Sequence, residues 1–162
     1  MHEELGVPTE PDRISAAVVE GLEAHYRRHV PLLPHAVETV RALARRWPLG
    51  VASSANRPLI DLVLELAGMA DLFRATVSSE EVPRGKPEPD VYVEVARRLE
   101  AAPERCVAVE DSTNGIRSAS AAGMWVVAVP RPDFPPSIEA LGLADAVLGS
   151  LTELEGRLDE LS

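Results

Sequence analysis

The sequence predicts an α/β fold, a Rossmann-like parallel sheet with helices on both faces. Two observations predict it. Helical and strand-like segments alternate from residue 35 onward, the order that builds a parallel sheet through crossover helices. And the apolar run Val107-Ala108-Val109 ends in adjacent carboxylates, Glu110 and Asp111, at the strand edge where open α/β sheets place ligands.

The elements follow in order. Ile14, Val18, Leu22, His25, Tyr26 and His29 recur at helical spacing behind Pro11-Asp12, so a helix is expected over 11–30. A second helix is expected from His35 to Arg46, with Val37, Val40, Leu43 and Ala44 on its apolar face. Leu49–Ala52 reads as a buried strand and Pro58–Ala67 as a helix closed by Gly68. Ala75–Val77 is a weaker strand, and Pro87–Leu99 a helix burying Val91, Val93, Val95, Ala96 and Leu99. Then come a strand over Arg105–Val109, a helix over Asn114–Ala122, and strands at Met124–Val129 and Ala146–Leu148. Ser150 is placed to cap a last helix through Leu161.

Composition narrows the function classes. The chain has 162 residues, the size of one ordinary domain, with 46% hydrophobic and only 4% aromatic residues. Its core must therefore be built from Ala, Val and Leu. A net charge of -10 with no basic stripe argues against nucleic acid as a partner. The single Cys106 excludes an intramolecular disulfide and fits a reducing compartment. Beside an apolar run it reads as a small buried hydrophobe. No secretory signal and no bilayer-length apolar run is visible, so the expected setting is cytoplasmic, with no membrane partner.

Three positions carry candidate chemistry. Ser53, with Ser54 and Asn56 in the same strand-to-helix turn, offers a hydroxyl beside free N–H groups that suits a phosphoryl oxygen. Lys86, between Gly85 and Pro87, is a lysine on restrained backbone that can neutralise a phosphate and a nearby carboxylate; Arg84 is a weaker substitute close by. Glu110 and Asp111 repel each other, and a bound cation removes that conflict; an oxygen-only pair suits Mg²⁺. Taken singly, each has a plainer reading. Ser53 or Ser54 is a turn or cap residue, Lys86 a solvated surface lysine, and Asp111 a helix cap. His25, His29 and His35 lack the companions a metal site needs. No Gly-x-Gly-x-x-Gly or Walker loop supports a generic nucleotide binder.

The order and spacing of the three positions are more specific than any one of them. With Gly50-Val51-Ala52-Ser53-Ser54, Gly85-Lys86-Pro87-Glu88-Pro89-Asp90 and Val109-Glu110-Asp111-Ser112 before Gly115-Ile116, the chain resembles the haloacid dehalogenase-like superfamily. The resemblance runs over about residues 31–150 and is strongest to its β-phosphoglucomutases and phosphoglycolate phosphatases. It implies a Mg²⁺-dependent phosphatase or phosphomutase acting on a small phosphorylated metabolite. It also implies roles: Ser53 for phosphate, helped by Ser54 and Asn56; Lys86 to steady the nucleophile and phosphoryl group; Glu110 and Asp111 for Mg²⁺.

The family's first motif, a strand ending in Asp-x-Asp that supplies the nucleophile and the general acid/base, has no counterpart here. The acids before Ser53 are Glu3, Glu4, Glu10, Asp12, Glu20, Glu23 and Glu38, and none follows a strand-like run. Residues 1–30 are accordingly expected to be the remnant of a helical cap and 31–162 an incomplete core lacking its central first strand. Its loss leaves a gap or two exposed edges, and three outcomes are open: the native product extends upstream and this chain is a fragment of it, the neighbouring strands close up directly, or a segment of a second copy fills the slot as a homodimer through the sheet edge. The enzyme reading therefore stands beside a second one, a degenerate domain that binds a partner or assembles with itself.

Overall fold

The computed structural model describes residues 11–160, with side chains from residue 17 on. Helix α1 (Pro11–Tyr26) and helix α2 (Ala36–Ala44) precede strand β1 (Leu49–Ser53). Next are α3 (Arg57–Leu66), β2 (Phe73–Ser78), α4 (Asp90–Arg98), β3 (Val107–Glu110) and α5 (Thr113–Ala121). Then follow β4 (Trp125–Ala128), α6 (Ile138–Leu141), β5 (Ala146–Val147) and α7 (Leu154–Asp159).

Local chemistry sets the boundaries. Asn56 caps α3 by accepting the Leu59 N–H, with Pro58 in the first turn, and Gly68 takes a φ of 61° just past its end. Helix α4 starts at Asp90, three residues later than periodicity predicts. Pro87 and Pro89 hold the preceding segment as a turn in which Glu88 N–H bonds the Gly85 carbonyl, while Ser118 bonds the Glu88 carbonyl. The last predicted helix divides, because Ser150 caps a short 3-10 turn over Leu151–Glu153 before α7 begins; Leu161 lies outside the described residues. Helix α1 stops at Tyr26 rather than residue 30. It touches α3, yet Val18 and Leu22 on its apolar stripe remain exposed; the side chain of Ile14 lies outside the described residues. Val93 on α4 is likewise exposed instead of buried.

All strand pairs are parallel, and they form two sheets rather than one continuous sheet. β1 pairs with β2, and β3, β4 and β5 form the other in that order. Among the described residues β1 and β3 each keep one unpaired edge, so direct closure of these strands does not occur. Packing joins the halves instead. One apolar cluster takes Ala75 and Val77 from β2, Val91 and Val95 from α4, Ala108 from β3, Ile116 from α5 and Val126 from β4. Val127, on the other face of β4, packs with Leu43 of α2 and Leu154 of α7. Helices therefore cover both faces, as predicted. A Cβ at Gly50 would overlap Val95, which shows how closely α4 lies on β1. Val107 and Val109 of β3, with no strand along their open edge, stay 39% and 40% exposed.

Cys106 is half-buried; burial pushes its thiol above the ordinary range, and Sγ donates to the Ala102 carbonyl. No described helix is long and apolar enough to cross a membrane.

Ile116 has no exposed surface in the cluster that joins the sheets. Ile116→Ala should destabilise the domain by about 2–5 kcal/mol and Ile116→Val by about 0.5–1.5 kcal/mol in urea unfolding. Equal, near-zero losses would show that this cluster does not hold the halves together.

Candidate active site

Lys86 and Glu110 meet where the two sheets face each other. Lys86 lies in the turn between β2 and α4, and its bond to Pro87 is cis. Glu110 is the last residue of β3. The Lys86 Nζ donates to Glu110 Oε1 at 2.5 Å, and their side chains are 8% and 7% exposed. The same ammonium donates to the Ala52 carbonyl of β1 at 3.2 Å. One buried cation thus ties the carboxyl ends of two strands that share no backbone hydrogen bond.

Glu110 is held from every side. Its Oε1 also accepts the Tyr92 hydroxyl at 2.5 Å. Its Oε2 accepts the Asp111 and Ser112 N–H groups and the Ser112 hydroxyl. Gly115 is required behind it, since a Cβ there would overlap the carboxylate. Burial pushes the Glu110 carboxyl up. The Lys86 charge, with hydrogen bonds from Lys86, Tyr92 and Ser112, outweighs that and brings it below the usual carboxylate range. Asp111 goes the other way: burial first, then the Glu110 charge, raise it, and Arg131 from the loop after β4 opposes the rise. Burial and then Glu110 raise the Tyr92 hydroxyl well above its ordinary value, so it stays a donor.

The remaining predicted residues divide. Ser53 ends β1 next to Ala52, half-buried at the same edge, with its Oγ accepting the Ala55 N–H at 3.1 Å. Ser54 is exposed, and Asn56 is engaged as the α3 cap. Arg84 is exposed and paired with Glu88 and Asp90, so it does not stand in for Lys86. Ser112, not Asp111, caps α5, by accepting the Gly115 N–H. Tyr92 and Arg131 are the residues sequence reasoning missed. Tyr92 sits within an apolar helix pattern and reads there as core, and the Arg131 loop carries no periodic signal. Among the described residues no group of three or more His, Cys, Asp or Glu converges as a metal site. His25, His29 and His35 are all exposed.

Parallel strands, covering helices and polar side chains gathered at the strands' carboxyl edge define an α/β protein of the doubly wound kind. A haloacid dehalogenase-like hydrolase profile matches residues 3–123. Hexitol phosphatase B of Escherichia coli (strain K12) is 40% identical over 129 residues, covering 78% of this chain and 57% of that protein. Phosphoglycolate phosphatase of the same organism is 37% identical over 93 residues, covering 57% of this chain and 37% of that one. The structure of CbbY from Rhodobacter sphaeroides in complex with phosphate superposes with a TM-score of 0.82 at 29% identity, covering 91% of this chain and 67% of that one. This chain belongs to the haloacid dehalogenase-like hydrolase family. It spans a little over half the length of hexitol phosphatase B and about a third of phosphoglycolate phosphatase.

Removing either partner of the buried pair leaves the other charge unpaired. Lys86→Met and Glu110→Gln should each cost about 3–5 kcal/mol, and the double variant clearly less than their sum. Additive losses in urea unfolding would refute the coupling. Because the Glu110 carboxyl is lowered in the fold, its contribution is complete above the unfolded value of about 4.3 and is lost as pH falls through the lower folded value. The thermal midpoint should drop across that acid window, and Glu110→Gln should lack this segment of the curve.

Proposed function

We propose that this chain is the core of a Mg²⁺-dependent phosphoric-ester hydrolase or phosphomutase acting on a small phosphorylated sugar or similar metabolite. One observation carries the reading: the Lys86 ammonium is buried at the carboxyl edge between Glu110 and the Ala52 carbonyl, with Ser53 and Asp111 next along the chain. The phosphatase names of two relatives and the phosphate bound to CbbY support it.

In this reading the Ser53 hydroxyl and the backbone N–H groups of the turn through Ser54 to Asn56 bind phosphoryl oxygens. The Asn56 side chain contributes by fixing that turn. Lys86 offsets the phosphoryl charge, and Glu110 holds Lys86 in place. Asp111 and Glu110 offer the hard oxygen donors Mg²⁺ takes, and their mutual repulsion is what a cation relieves. Asp111 is the better placed of the two, because both Glu110 oxygens already accept hydrogen bonds. When bound, Mg²⁺ supplies positive charge to the transferring group. A small phosphorylated substrate is the expected partner, and the lone Cys106, with no cystine framework, fits a reducing, cytoplasmic setting.

The chemistry also needs a nucleophile, and the sequence contains no Asp-x-Asp. We read residues 1–30 as the end of a helical cap, 31–162 as the core, and the space between β1 and β3 as the place of the family's first strand. The unpaired edges of β1 and β3, among the described residues, favour a second reading, a non-catalytic domain that assembles through them with a second copy.

A homogeneous preparation of this chain should release no phosphate from hexitol phosphates or phosphoglycolate in Mg²⁺. Mg²⁺-dependent release that disappears in Lys86→Met would refute that inactivity. Mn²⁺, followed by electron paramagnetic resonance, should bind the chain, and Asp111→Asn should weaken it at least about tenfold. Unchanged affinity would remove Asp111 from the metal site.

A further inference from the structure

Ser78 ends β2 directly beside Ser53, its register partner in β1. It has no exposed surface, and its hydroxyl donates to the Ala55 carbonyl at 2.7 Å. Ala55 lies inside the turn from Ser53 to Asn56 proposed to bind phosphoryl oxygens. A buried hydroxyl is costly to leave unpaired, so this bond holds the carbonyl in one direction. The Ala55–Asn56 peptide is trans and planar, so its C=O and N–H point opposite ways. Holding the Ala55 carbonyl therefore holds the Asn56 N–H, and aims it away from Ser78.

Ser78 is itself fixed. Its N–H donates to Glu81 Oε1 at 2.9 Å, and its Oγ accepts the Glu80 N–H at 3.1 Å. Glu81 in turn is held by Arg98 of α4, whose Nη2 donates to Oε2 at 3.0 Å, and by Arg57, the first residue of α3. Arg57 also donates to the Thr76 carbonyl of β2 at 2.7 Å. It follows Asn56 directly, so the turn is tied to β2 at its middle and at its exit. At its entry the Ser53 Oγ accepts the Ala55 N–H, so the Ser53 O–H can be given to an anion.

We propose that Ser78 is a positioning residue for the phosphoryl group. Through the Ala55 carbonyl it sets the direction in which the turn presents the Asn56 N–H and, with it, the Ser53 hydroxyl. It touches no ligand itself; it spares the ligand the cost of ordering the turn. The inference rests on the phosphate reading given above.

The test is a calorimetric titration of inorganic phosphate, with Mg²⁺ present, into the wild-type chain, Ser78→Ala, Ser53→Ala and Ile116→Val, beside a Mn²⁺ titration of each. Ser78→Ala should bind phosphate about three- to tenfold more weakly, the worth of one hydrogen bond, and bind Mn²⁺ as the wild type does. Ile116→Val loosens the core without touching the turn and should keep both affinities. Ser78→Cys keeps the size and offers only a weak donor, so it should shift phosphate binding in the same direction; it carries the comparison if the alanine variant does not fold. In the wild-type chain the Asn56 backbone amide resonance should move on adding phosphate. Unchanged phosphate affinity in the Ser78 variants, a parallel loss of Mn²⁺ binding, the same weakening in Ile116→Val, or a motionless Asn56 amide in a chain that binds phosphate overturns the role of Ser78 and leaves the phosphate reading standing. No phosphate binding by the wild-type chain, or wild-type affinity in Ser53→Ala, overturns both.

Discussion

The buried Lys86–Glu110 pair is the constraint on which the rest of the site depends. Each charge would be costly alone in so dry a place, and each is tolerable only because the other is within 2.5 Å. The cost of separating them fixes more than two side chains. Lys86 reaches β1 through Ala52, and Glu110 ends β3, so the pair sets how far apart the carboxyl ends of the two sheets stand. The apolar cluster beneath, from Ala75 through Tyr92 to Val126, supplies most of the cohesion, but it is not directional. The ion pair adds direction at the edge where chemistry takes place.

The same pair separates two acids that look alike in sequence. Glu110 is drawn inward by five donors, with Gly115 leaving room behind it. Asp111, one residue later, gives its backbone N–H to that set, while its own carboxylate carries the repulsion that Glu110 creates. A carboxylate with its acceptors filled is suited to holding a lysine, while one raised by a neighbouring charge is suited to meeting a cation. The fold thus gives adjacent residues of similar chemistry different surroundings.

Much of this was legible beforehand because strand edges and helix starts are written locally. The run Val107-Ala108-Val109 before Glu110, the turn after Ala52 and the proline-flanked Lys86 each mark a boundary, and their spacing marks the family. What escaped depends on contacts between distant elements. Tyr92 on α4 matters through a carboxylate eighteen residues away on β3, and nothing in Val91-Tyr92-Val93 distinguishes its hydroxyl from packing. Periodicity carried α4 back to Pro87, whereas the prolines and the Ser118 bond to Glu88 delay it to Asp90. Helix α6, four residues capped by Ser137, is too short to show a period. The division into two sheets was visible only as a missing strand signal.

That division bears on function through charge as much as through backbone. Lys86 bonds a carbonyl on one side of the space between β1 and β3 and a carboxylate on the other, so it sits at the carboxyl end of the opening. A parallel strand entering there would find a free ladder on both edges and the exposed faces of Val107 and Val109 to cover. In the proposed reading, Ser53, Lys86, Glu110 and Asp111 would line a phosphoryl site beside that opening. The buried pair and the opening belong together, because Lys86 and Glu110 bridge the space between β1 and β3 at its carboxyl end.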